Sequence, residues 1–183
     1  SLEEYKADLE KKLNKIPEER RIEPNTQVVM NALNDSQSCV EEETLREMFA
    51  NLIAAACDNA KANSVHPAFP GIIKQMSTID AEILFILGQK ASHPIVNVLG
   101  KVEKGSIPIA KNVVFEDTGR YDMTTPRSSI ECLTMLGLVE FDYLSPYVDE
   151  TRYEPFKRLP IYMQVEASKL YEYAPNKYME VKG

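Results

Sequence analysis

His66 is the residue best suited to chemistry in this chain of 183 residues. An imidazole titrates near neutral pH, so it can take or give a proton in general acid–base catalysis. Asp58 is the preceding carboxylate and the natural group to orient such a ring. Against this stands a purely structural role, in which His66 and Pro67 cap a helix and a ring nitrogen bonds the backbone. The sequence favours the structural role, because no nucleophile or second histidine stands at catalytic spacing. His93-Pro94 repeats the dipeptide where a strand is expected to start. Glu42 and Glu43 are adjacent carboxylates, but neighbouring residues on a helix point in different directions. They are read as a solvated face matched to the helix dipole.

The remaining motifs for chemistry are missing from the sequence. No G-x-S-x-G, Walker A, G-x-G-x-x-G or H-E-x-x-H pattern occurs, and the seven glycines are scattered. Two histidines and three cysteines without a C-x-x-C give no zinc-ligand spacing. No catalytic residue, metal or cofactor is expected.

Composition narrows the class further. The chain is 44% hydrophobic and 27% charged, which suits a globular protein with a substantial core. Its net charge is −7, with 8 basic and 13 acidic residues up to Val65, and 13 basic against 15 acidic beyond it. Neither part has the basic excess that supplies most nucleic-acid affinity. Cys39, Cys57 and Cys132 are odd in number and widely spaced, so free thiols in a reducing cytoplasm are expected. No apolar run approaches the roughly 20 residues that span a bilayer. No signal peptide opens the chain, and no membrane contact is expected. Leu2 already lies inside a helical pattern without a Met start, which implies a natural chain that begins earlier.

Leu2, Tyr5, Leu9, Leu13 and Ile16 recur at helical spacing in a charged segment. Pro24 suits the first turn of a short helix that buries Val28, Val29, Ala32 and Leu33. The clearest helix runs through Leu45, Met48, Phe49, Leu52, Ile53, Ala56 and Ala60. Ser38 and Glu41 form its expected capping box, and Glu42–Arg46 an i, i+4 pair. Pro67 is expected to start a helix burying Phe69, Ile72, Ile73 and Met76. Ser77 with Asp80, or Thr78 alone, caps the next, and Gly88 marks its end. His66, Pro67 and Phe69 are thus read as structural.

From His93 the texture becomes β-branched. Pro94–Leu99 and Ile107–Phe115 read as strands of a hairpin, with Pro108 confined to an edge. Glu116–Pro126 reads as a loop. Ser128 caps a helix with Ile130, Leu133 and Leu136 inside, Gly137 ends it, and Leu138–Tyr143 alternates as a strand. Helix, Leu-Gly-Leu-Val-Glu, then strand is a winged-helix pattern. Ser145–Pro160 would then be the wing or an insertion, Ile161–Val165 a returning strand, and Ala167–Tyr173 a last helix. Arg127, Arg152, Lys157 and Arg158 are the candidate phosphate contacts of such a fold, although Glu131 on the reading helix opposes them. The late tyrosines, Tyr143, Tyr147, Tyr153, Tyr162, Tyr171, Tyr173 and Tyr178, with Phe156, suit an interface.

Four segments resemble the bacterial abortive infection alpha family over about two-thirds of the chain. They are Ile16-Pro17-Glu18-Glu19 with Glu23-Pro24, Glu47–Ala56, Val65–Phe69 with Ile72–Ser77, and Leu133–Glu140. The resemblance implies a role in defence against bacteriophage, in which an infected cell stops growing or dies. It brings no catalytic residue set.

The expectation is therefore an α+β fold, mainly α. A helical region over 1–77 is followed by a winged-helix-like region over 78–183. The expected function is a non-enzymatic protein-interaction or sensor module related to phage defence, working through a protein partner or a homodimer. A winged-helix DNA-binding regulator is the alternative.

Overall fold

Asn25 shows how local chemistry sets the helices of this chain. Its side chain accepts hydrogen bonds from the Gln27 and Val28 amides, 2.9 and 3.3 Å, and so caps a helix N-terminus. Pro24 therefore precedes the cap and does not fill the first helical turn. The structure, a computed structural model, describes residues 2–102, 104–114, 127–167 and 171–181, with side chains for 2–100, 104–114 and 127–167. The predicted loop over Glu116–Pro126 and the side chains of Tyr171, Tyr173 and Tyr178 lie outside the described residues. The fold is α+β, mainly α, and divides into two compact units, 1–82 and 83–183.

The first unit holds α1 (Leu2–Asn14), α2 (Thr26–Ser36), α3 (Glu43–Ala56) and α4 (Phe69–Lys74). Helix α3 is central, touching α1, α2 and α4. Its buried positions Leu45, Phe49, Leu52, Ile53 and Ala56 follow the predicted stripe. Tyr5 and Ile16 bring the α1 segment into the core, while Leu9 and Leu13 are half-buried and Leu2 stays exposed. Arg46 is 8% exposed. Its guanidinium donates to Asp8 Oδ2 and Glu4 Oε2 on α1, at 3.2 and 3.1 Å, and to the Val40 carbonyl. These bonds satisfy a cation that burial would otherwise penalise.

Several local expectations change here. Ser38 does not cap α3. Helix α2 runs on into a 3-10 turn, Gln37–Cys39, and the Ser38 hydroxyl donates back to the Asp35 carbonyl, 3.0 Å. The expected Glu42–Arg46 pair gives way to the Arg46 bonds above, and Glu42 accepts from Thr78 instead, 2.5 Å. Helix α3 ends at Ala56 rather than Ala60 because the next residues pair with the α1–α2 connector. The Ile22 amide donates to Cys57 O and the Asn59 amide to Arg20 O. Phe69 is exposed rather than buried, and Pro70, Ile73 and Met76 fill that place. The capping box of α5 (Thr78–Leu87) forms as expected. Ser77 N donates to Asp80 Oδ2, 2.8 Å, and Asp80 N to Ser77 Oγ, 3.1 Å.

The second unit is built on a four-stranded antiparallel sheet. Strands β1 (Ser92–Val102), β2 (Gly105–Val114), β3 (Val139–Phe141) and β4 (Tyr171–Val181) lie in the order β2-β1-β4-β3. The expected hairpin is β1–β2, with β2 at one edge and Pro108 opposite Leu99. Between the Val96–Val113 and Val98–Ala110 pairs, β2 carries one residue more than β1. The bulge includes Asn112 at φ 54°, a conformation asparagine tolerates better than most residues. The Asn97 side chain accepts the Asn112 amide, 2.9 Å.

Helix α6 (Arg127–Met135) leads into β3 through a Schellman turn. Gly137 sits at φ 72°, its amide donates to Thr134 O, and the Leu138 amide to Leu133 O. Between β3 and its partner β4 lie a 3-10 stretch, Glu150–Arg158, and α7 (Pro160–Ala167). Ser145–Pro160 is thus an insertion rather than a strand-built wing. Asp149 starts the 3-10 turn by accepting Thr151 N, 3.1 Å. Ile161–Val165 is helical rather than a returning strand, since Tyr162 turns inward to the cluster formed by Val96, Tyr153, Phe156 and Leu159. From Tyr171 the chain is strand β4, not helix.

Candidate interaction surface

His66 is exposed, and its Nδ1 accepts the Ala68 amide at 3.1 Å. Its carbonyl accepts the Phe69 amide, 3.0 Å, so it starts the turn before α4. Its ring lies 6.1 Å from that of Phe69. Asp58 does not orient it. The Asp58 carboxylate is bound by both faces of the Arg20 fork, with Arg20 Nε to Oδ1 at 2.9 Å and Nη2 to Oδ2, and by the Ala60 amide, 3.0 Å. This pair fastens the α1–α2 connector to the end of α3. His93 is fully buried in β1, with Nε2 2.7 Å from the Leu87 carbonyl. Among the described residues no group of three or more His, Cys, Asp or Glu is placed to hold a metal ion. An open cleft of about 180 Å³ between α1 and α3 is lined by Asp8, Lys11, Lys12, Lys15, Glu43 and Glu47. Its charges are mixed, and Lys12 is tied to Glu47 at 3.0 Å.

The Arg20 hydrogen bonds hold the Asp58 carboxyl below its ordinary value of 3.8, helped by the Ala60 amide and opposed by desolvation. The folded chain therefore binds this proton less readily than the unfolded chain. The pair's contribution is complete above pH 3.8 and disappears as pH falls through the lower folded value. Asp58→Asn is expected to lower the urea midpoint at pH 7, with the difference from wild type shrinking below about pH 3.8. A difference constant from pH 7 to pH 2 would refute the pairing.

The four basic candidates are spread over two elements. Arg127 opens α6 and donates to Glu131, 2.7 Å. Lys157 donates to Glu154, 2.7 Å. Arg152 stacks over the Tyr147 ring, 4.0 Å from its centre. Arg158 is exposed at the end of the same 3-10 stretch. Arg127, Lys157 and Arg152 are thus engaged within the protein.

A different surface emerges in the loop that follows β3. Asp142 Oδ1 accepts the Leu144 and Ser145 amides, 2.6 and 3.2 Å, fixing an Asx turn. The Tyr143 ring packs on Phe141, and its hydroxyl reaches Asn112 Oδ1 of β2, 3.1 Å. Tyr147 donates its hydroxyl to Ser92 Oγ of β1, 2.5 Å, and its amide to the Tyr153 hydroxyl, 3.0 Å. The loop is therefore pinned to two strands and to the 3-10 stretch. Yet Leu144 is 87% and Val148 99% exposed. A backbone ordered in this way beneath exposed large apolar side chains makes this loop the candidate surface. The tyrosines of this loop stood out in the sequence, and here Tyr143 and Tyr147 fasten it to the strands. Leu144 and Val148 were missed because two isolated apolar residues in a loop give no periodic signal.

The sequence as a whole matches the abortive infection alpha family over residues 1–179. The chain belongs to the abortive infection alpha family. No curated protein and no solved structure matches it. Membership ties the chain to abortive infection and brings no residue roles with it. Among the described residues, no helix of this family member is long and apolar enough to cross a membrane.

Proposed function

We propose that this chain is a non-enzymatic protein-interaction or sensor module of bacterial phage defence, docking a partner through the loop Asp142–Asp149. The observation that carries the reading is the pairing of a pinned backbone with exposed Leu144 and Val148. The engagement of His66 with its own helix supports a non-enzymatic role. The pairing of Arg127 and Lys157 with glutamates favours a protein partner over DNA. A cytoplasmic setting fits Cys39 and Cys57 as free thiols.

The test is a double substitution, Leu144→Ser with Val148→Ser, in phage-challenged cells carrying the chain. Both side chains already face water, so folding should change by no more than about 0.5 kcal/mol. Wild-type protein levels with loss of phage protection are expected. His66→Ala should protect as wild type does. Undiminished protection by the double variant, or its loss in His66→Ala, would overturn the reading.

A further inference from the structure

We infer that Asn112 is a positioning residue, whose carboxamide latches Tyr143 and so straps the loop that carries Leu144 across the sheet. The role rests on that loop being the docking surface proposed above.

The backbone of Asn112 points to it first. Among the described residues Asn112 is the one non-glycine residue with a positive φ, 54°. Glycine meets such a conformation at a bulge most easily, because it has no Cβ to clash. Asparagine tolerates it too, and brings a side chain that glycine lacks. The bulge is held by the Asn112 backbone, whose amide donates to Asn97 Oδ1 on β1, 2.9 Å. The carboxamide is therefore left for another task, and its Oδ1 accepts the Tyr143 hydroxyl, 3.1 Å. A left-handed residue whose side chain reaches a functional segment is where a bulge re-aims a contact.

Topology gives that contact its reach. Strands β2 and β3 are the two edges of the sheet. Tyr143 lies two residues beyond β3, yet its hydroxyl ends on β2. The bond thus ties the loop to the edge that the strand order places farthest from its origin. The loop sequence repeats one device. Leu144 follows Tyr143 and Val148 follows Tyr147, so each exposed apolar residue stands one position beyond an anchored tyrosine. Ser92 holds the Val148 side and Asn112 the Leu144 side. The Asx turn at Asp142 shapes the Leu144 backbone locally, and the Asn112 bond fixes where that turn lies.

The experiment compares Asn112→Gly, Asn112→Asp and Tyr143→Phe in the full chain. Amide hydrogen exchange, thermal unfolding and protection of phage-challenged cells are the three measurements. Asn112→Gly keeps the amide that Asn97 holds and suits the positive φ, so its melting midpoint should not fall. Its Leu144 and Ser145 amides should exchange about two- to tenfold faster, the shift that one lost hydrogen bond allows. The Tyr147 amide should exchange as in wild type, and phage protection should weaken. Asn112→Asp keeps the acceptor and should restore both readouts. Tyr143→Phe should match Asn112→Gly, and the double variant should be no worse than either single change. Unchanged exchange in Asn112→Gly, full protection by it, or failure of Asn112→Asp to rescue would overturn the latch. If the double serine variant still loses protection, the docking loop survives that result. Full protection by the double serine variant overturns the docking loop and the latch together.

Discussion

Replacing Phe49 by alanine is expected to lower stability by about 3–5 kcal/mol. Phe49 is fully buried in α3, the helix that α1, α2 and α4 all touch. Its ring removes a large apolar area from water, and alanine would forfeit that transfer and leave a cavity. The cost rises when surroundings cannot collapse into the space. For a chain of this size about 2–4 °C of melting temperature accompanies each kcal/mol, so the midpoint should fall by at least roughly 6 °C. Phe49→Leu, which keeps most of the volume, should lose well under half as much. Thermal and urea unfolding followed by circular dichroism give both numbers. A loss below about 1 kcal/mol for alanine would show that α3 is not the centre of its unit.

The helical unit was largely legible because its signal is periodic and local. Leu45, Phe49, Leu52, Ile53 and Ala56 recur every three or four residues, and only one face of a helix satisfies that spacing. The Ser77–Asp80 box and the Gly137 stop depend on residues a few positions apart, so the sequence shows them too. What failed depends on distant partners. Ser38 met the rule for a cap, but α2 reached past it as a 3-10 turn and took its hydroxyl. Glu42 met the rule for an i, i+4 pair, but Arg46 found Glu4 and Asp8 across the α1–α3 contact.

The candidate site was legible in one half only. The late tyrosine cluster was visible in the sequence, but not which of its hydroxyls would be spent fixing a loop. That depends on β1 and β2 presenting Ser92 and Asn112 to residues more than thirty positions away. Ile161–Val165 shows the same limit at the level of whole elements. A five-residue segment that is apolar but for Gln164 is compatible with strand or helix, and the burial of Tyr162 beside Phe156 decides for helix α7.

Phe156→Ala is expected to be as costly as the change at Phe49, about 3–5 kcal/mol, but with a different consequence for function. Phe156 is 1% exposed in a cluster with Val96, Tyr153, Leu159 and Tyr162, and Tyr147 packs against that cluster. The cluster is the floor on which the proposed docking loop rests. Removing the ring leaves the Tyr147 and Tyr153 rings, 6.2 Å apart, without a rigid base. Stability and phage protection should therefore fall together, whereas the double serine variant loses protection alone. Tyr153→Phe separates the two effects, because it keeps the ring and removes only the hydroxyl that accepts the Tyr147 amide. One hydrogen bond is worth about 0.5–1.5 kcal/mol, too little to unfold the unit, yet enough to loosen the loop. Weakened protection by Tyr153→Phe at wild-type protein levels would show that the loop must be held in place to act. Full protection would show that Leu144 and Val148 bind equally well from an untethered segment, and would remove preorganisation from the mechanism.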